Sequence, residues 1–181
     1  QGFVRTSGSG VEEGDDEWTL TDLDGDGRPE LVVTAQVGAV FAVPGNGSNP
    51  HWKVFRNTGQ GFASTATTWT LPTGGFGGQG FVRTFGEPAG RGDDAWGLVD
   101  MDGDARPDLV VTTHWGSGGA TVFGHGSNPH WRVFRNTGSG FSTTATTWPV
   151  PAGGWIQQGF VLTPGRASDA GDDEWSLLDL T

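Results

Sequence analysis

The sequence predicts an all-β fold made of repeated four-stranded antiparallel units. Three observations predict it. First, the chain repeats itself: QGFVRT at 1–6 returns at 79–84 and as QGFVLT at 158–163, a period of about 78 residues. Second, Gly, Thr, Val and Trp dominate, with 33 Gly, 9 Trp and 11 Phe, and blocks of strong helix formers are missing. Third, no long window carries a 3.6-residue apolar rhythm, whereas short apolar runs recur between glycine-rich turn signals. The units divide the chain into 1–78, 79–157 and a partial third copy at 158–181.

Each unit offers four strand-like runs in order. The first covers 18–22, 96–100 and 175–179, and opens on Trp18, Trp96 and Trp175. The second, rich in Leu and Val, covers 30–34 and 108–112. The third covers 52–56 and 131–135, and the fourth roughly 65–71 and 144–150. DGDG, GNGSNP, NTGQG and LPTGG separate them as turns. An extended GFVRT piece precedes the first run. Four antiparallel strands per repeat describe a β-propeller blade, with a solenoid or a sandwich as alternatives. A closed ring needs about four or more blades. The ring is therefore expected to be completed by self-association or by further repeats.

Charge narrows the partners. The net charge is −11, and Lys53 is the single lysine. Nucleic acid is a poor partner for such a chain, because phosphate binding needs a basic surface. No run of 18 apolar residues occurs, so no membrane span is expected. Cysteine is absent, which excludes disulfides and thiol chemistry. No signal-peptide pattern is expected within the given residues.

The acid is clustered. Asp22, Asp24, Asp26 and Glu30 stand at positions 1, 3, 5 and 9 of one loop, and Asp100, Asp102, Asp104 and Asp108 at the same positions of its copy. Arg28 and Arg106, at position 7, can offer a backbone carbonyl. Oxygen-rich sets of this kind suit a hard divalent cation, and Ca²⁺ tolerates irregular geometry. Carboxylates this close repel one another without a cation. The alternative is an Asp/Gly-rich hairpin shaped by turn chemistry alone. Ala105 replaces Gly27 at position 6, where a positive φ is usual, so the second loop is expected to be strained.

The pattern W-x-L-x-D-x-D-G-D-x-R-P-[DE]-L-V-V-T, followed by V-F-R-N-T-G-x-G-F, resembles the FG-GAP/VCBS repeat. The resemblance covers both complete units. It implies an integrin-α-like calcium-binding β-propeller with one blade per repeat, calcium between the first and second strands, and an extracellular, secreted, bacterial-like setting. These repeats are longer than is usual in that family. At the level of fold alone, the chain is similar to Psathyrella-type propeller lectins.

G-S-N-P-H-W recurs unchanged at 47–52 and 126–131, although the preceding loops differ in length. Asn49, His51 and Trp52, with Asn128, His130 and Trp131, combine an aromatic face with planar hydrogen-bonding groups, the mixture that grips a sugar. Arg83 could line a pocket beside them. In the alternative reading, both Trp side chains pack between neighbouring sheets and each His caps its turn. Trp69 and Trp148 are expected to pack as well.

No G-x-S-x-G, H-E-x-x-H or phosphate loop occurs, and every polar group recurs per repeat. Repetition suits multivalent binding rather than one asymmetric catalytic constellation. The sequence thus leads to a non-catalytic, Ca²⁺-binding, lectin-like module that takes a glycan or glycoprotein. Its alternative is a structural or adhesion scaffold for protein partners, with calcium purely structural.

Overall fold

A computed structural model describes residues 17–35, 42–75, 80–81, 96–116 and 119–152. These residues are all-β, and no helix occurs among them. Strands β1 (Glu17–Thr21), β2 (Glu30–Ala35), β3 (His51–Phe55) and β4 (Thr67–Thr70) form one antiparallel sheet in the order β1-β2-β3-β4. Strands β5 (Trp96–Val99), β6 (Asp108–Val111), β9 (His130–Phe134) and β10 (Thr146–Pro149) form a second with the same meander. Between β6 and β9 lies a separate hairpin, β7 (Thr113–Gly116) paired with β8 (Gly119–Val122). Sequence reasoning did not anticipate this hairpin. The partial copy at 158–181 lies outside the described residues.

The strand chemistry explains the sheets. β2 and β6 are buried along their whole length, as continuous Leu-Val-Val runs require when both faces are covered. β3 alternates instead: Trp52 and Val54 point inward and Lys53 outward. Trp52 stands directly opposite Trp69, and Trp131 opposite Trp148. Such cross-strand aromatic pairs help to pin the register.

The turn before β3 is the same in both units. Asn49 N–H donates to the Gly45 carbonyl at 2.8 Å, and His51 N–H to the Pro44 carbonyl at 3.0 Å. Asn128 repeats the first bond on Gly124 at 2.8 Å. Gly45 and Gly124 have φ of 68° and 66°, and a β-carbon on either would come within 2.2 Å of the turn's Asn carbonyl oxygen. Only glycine fits there.

The two units pack through one apolar seam. Leu23, Val32, Trp52, Trp69 and Leu71 of the first meet Phe81, Leu109, Phe134 and Phe141 of the second in a single buried cluster. Phe141 stands edge-on to Trp52 at 5.5 Å and to Trp69 at 6.2 Å. Trp52 Nε1–H donates to the Phe81 carbonyl at 2.8 Å, and Phe141 N–H to the Thr70 carbonyl at 2.8 Å. Burial of aromatic side chains dominates this contact, at about 1.5–3 kcal/mol for a fully covered Phe.

Candidate metal loops and the N-P-H-W turns

Each acidic loop links the first two strands of its sheet. Asp22 shapes the first: Oδ1 accepts from Gly25 N–H and Oδ2 from Gly27 N–H, both at 2.8 Å. Asp24 and Asp26 then cap the backbone two residues on, at 3.3 and 2.9 Å. Asp100 repeats the first role, accepting from Gly103 N–H at 2.8 Å and from Ala105 N–H at 2.9 Å. Ala105 has a φ of 67° where Gly27 has 83°, so the expected left-handed residue is present and carries a β-carbon.

Carboxylate oxygens of Asp22, Asp24 and Glu30 lie within 4.8 Å of one another, as do those of Asp100, Asp102 and Asp104. The two sets differ in membership. Asp26 faces Arg28 at 3.1 Å and stays out of the first cluster. Asp104 also holds its arginine, Arg106, yet remains in the second. Asp108 is not in that cluster. It sits 1% exposed at the start of β6, and its Oδ1 accepts from Asn136 N–H at 2.8 Å.

The buried acids feel their surroundings. Burial pushes the Glu30 carboxyl above the ordinary carboxylate range, and Asp24 and Asp22 add to this, against bonds from the Leu23 and Asn57 N–H groups. Burial likewise raises Asp108, opposed by the Asn136 and Met101 N–H groups. Asp104 moves the other way, held down by its hydrogen bonds to Arg106.

Sequence reasoning missed two arginines. Arg56 Nη1 lies 3.4 Å from Asp24, and Arg135 pairs with Asp102. Both come from the residue after the third strand of their sheet, inside the repeated V-F-R-N-T-G. Each loop therefore gathers four acids and two guanidinium groups, Arg28 with Arg56 and Arg106 with Arg135. The balance is two negative charges per loop, which one divalent cation offsets.

Asp108 Oδ2 tests whether the residues fit such an ion. It is buried and accepts no hydrogen bond, and its nearest positive group, Arg135, is 3.8 Å away. A buried carboxylate oxygen without a donor is costly unless a cation or a proton satisfies it. Asp108 stands beside the cluster and not in it, and the cluster's own all-oxygen donor set fits a hard cation.

Asn136 ties the loops together. Its side chain is buried, and Nδ2 donates to the Leu23 carbonyl of the first loop at 2.8 Å and to the Pro107 carbonyl of the second at 3.0 Å. The loops themselves touch: a β-carbon on Gly25 would lie 2.9 Å from Arg106 Cγ.

The N-P-H-W residues divide into two groups. Trp52 and Trp131 are 1% and 4% exposed and belong to the core. In this structure the sheets enclose both indoles. The packing alternative describes both. His51 and His130 place Nδ1 2.8 Å from the Asn49 and Asn128 carbonyl oxygens, within their own turns. His130 also stacks on Phe123 at 5.9 Å. The Asn49 and Asn128 side chains are exposed. Arg83 lies outside the described residues. Trp69 is buried, and Trp148 packs partly buried on a second cluster with Trp131, Val110 and Val133.

No family model, curated protein or solved structure matches the chain. Among the described residues, no helix is long and apolar enough to cross a membrane.

Proposed function

We propose that the chain is a non-catalytic scaffold of FG-GAP/VCBS type, whose four-stranded units are propeller blades stiffened by Ca²⁺ in their acidic loops. One observation carries this reading. Each unit repeats an acidic hairpin with a surplus of two negative charges, and in one of them a buried carboxylate oxygen lacks a donor. Asp22, Asp24 and Glu30 would hold the first ion, with Asp26 and the Arg28 carbonyl at its edge. Asp100, Asp102 and Asp104 would hold the second, with Asp108 and the Arg106 carbonyl completing it. Calcium supplies charge neutralisation there, and the chain supplies a fixed oxygen cradle. The loops lie at the seam between units, so a bound ion stabilises the junction as well as the hairpin. An extracellular setting, where free Ca²⁺ is abundant, suits such sites.

The test is thermal unfolding with calcium, with EDTA, and after calcium is restored. At a concentration of 100 times Kd, each ion adds about 2.7 kcal/mol. Chelation is expected to lower the melting temperature reversibly, and Asp24→Asn with Asp102→Asn to abolish the effect. Identical melting with and without chelator refutes the proposal.

Multivalent glycan binding is the second reading. It is favoured by the exposed Asn49 and Asn128 amides, held in two turns of matching geometry beside His51 and His130. Without the indoles, hydrogen bonding alone would have to carry it. Selective glycan-array binding that is lost in Asn49→Ala with Asn128→Ala supports this reading, and an empty array with an intact fold removes it.

A further inference from the structure

Among the described residues, two large apolar side chains are exposed, Leu20 at 50% and Phe62 at 44%. Neither position is arbitrary. The repeat places Leu20 where the second unit has Leu98, and Phe62 where it has Phe141. Those counterparts are covered. Phe141 is 3% exposed between Trp52 and Trp69, and Leu98 packs against the seam cluster. Asn57 follows the same rule. Its Nδ2 reaches only its own loop, at the Pro29 carbonyl, whereas Asn136 also reaches across the seam to Leu23. The first unit thus presents the face that the second unit buries.

The opposite face shows the complementary difference. Leu23, Trp69 and Leu71 are at most 3% exposed beneath the second unit. Their counterparts Met101, Trp148 and Val150 are only partly buried. One chain therefore carries both halves of a contact that it already makes once internally.

We propose that a second copy of this chain docks head to tail, seating its Met101, Trp148 and Val150 on Leu20 and Phe62. Phe62 packs edge-on against the partner subunit's Trp148, as Phe141 packs against Trp69. Asn57 Nδ2 donates to the carbonyl of the partner subunit's Met101, as Asn136 donates to Leu23. Such a contact is heterologous, so it propagates from copy to copy and either closes a ring or extends. The proposal deepens the scaffold reading. It rests on the repeat architecture and not on the cation.

Mass in solution with calcium present, by light scattering and sedimentation from micromolar to near-millimolar chain, tests it. The expected result is concentration-dependent mass above the 19.0 kDa of one chain. Phe62→Asp, at an exposed site, is expected to leave the circular dichroism unchanged and to raise the dissociation constant at least about tenfold. Val150→Asp removes the opposite face. Mixing the two variants leaves one intact pair of faces, so the mixture is expected to form dimers although each variant alone stays single. A wild-type chain that is single at every concentration overturns the proposal. So does an oligomer indifferent to Phe62→Asp, or a variant mixture that stays single. If Val150→Asp does not fold, Phe62→Asp alone still decides. Calcium-independent melting would refute the cation reading and leave this one standing.

Discussion

Exchanging the residues at position 6 of the two loops isolates one backbone angle. Gly27 and Ala105 occupy the same left-handed conformation, at φ of 83° and 67°, and each sends its N–H to the first aspartate of its loop. A β-carbon in this region costs roughly 1–2 kcal/mol. Glycine gives back about 0.4–1 kcal/mol, because it enlarges the entropy of the unfolded chain. The difference predicts that Ala105→Gly stabilises the protein by about 0.5–1 kcal/mol. Gly27→Ala should destabilise it by about the same amount, because a β-carbon there meets nothing within 4 Å and only the backbone term changes. For a chain of this size, that is a shift of about 1–4 °C in melting temperature, upward for one variant and downward for the other. Calorimetry and guanidinium unfolding in saturating calcium read both. The double exchange is expected to melt near the wild type. Ala105→Gly melting below the wild type, or Gly27→Ala above it, would refute the reasoning.

Other perturbations follow from the same geometry. Asn136→Ala removes two donated bonds at the seam and strands buried acceptors, so it should cost about 2–4 kcal/mol in denaturant unfolding, whereas Asn57→Ala, at a more exposed site, should cost distinctly less. Trp52→Ala should cost about 3–5 kcal/mol, and loss of sugar binding with unchanged stability would contradict its place in the core. Glu30 and Asp108 have carboxyls raised by burial, so the folded state holds their protons more tightly than the unfolded chain does. Their stabilisation is complete below the ordinary carboxylate range and is lost as pH rises through the raised values. In EDTA, these two groups should therefore pull the melting temperature down as pH climbs from acidic toward neutral, with Asp104 acting in the opposite direction, and Glu30→Gln should remove part of that downward pull. A slope unchanged by Glu30→Gln would contradict the assignment.

Strand pattern and turn chemistry were legible because they are local. Glu-Leu-Val-Val-Thr, the D-G-D-G loop and N-T-G-x-G-F each specify their own geometry, and the strands lie within a residue or two of the sequence expectation. The left-handed residue at Ala105 was legible for the same reason. The β7–β8 hairpin was missed, although Gly116-Ser117-Gly118-Gly119 marks a turn between two extended runs. Repetition hid it, because the corresponding loop of the first unit, 35–44, differs in sequence and is one residue shorter. Repetition does not by itself assign Trp52 and Trp131: a side chain kept between copies serves packing as readily as binding, and burial is what places both in the core. Asn136 and Arg135 escaped because their partners are fixed by tertiary structure. Asn136 reaches Leu23, and no spacing within one repeat reveals a bond between repeats.

Calorimetric titration of calcium into chelator-stripped chain tests the central claim most directly. The two clusters among the described residues predict two binding events, with Asp22→Asn removing one and Asp100→Asn the other. Absence of binding heat, or a stoichiometry that neither substitution changes, would contradict it.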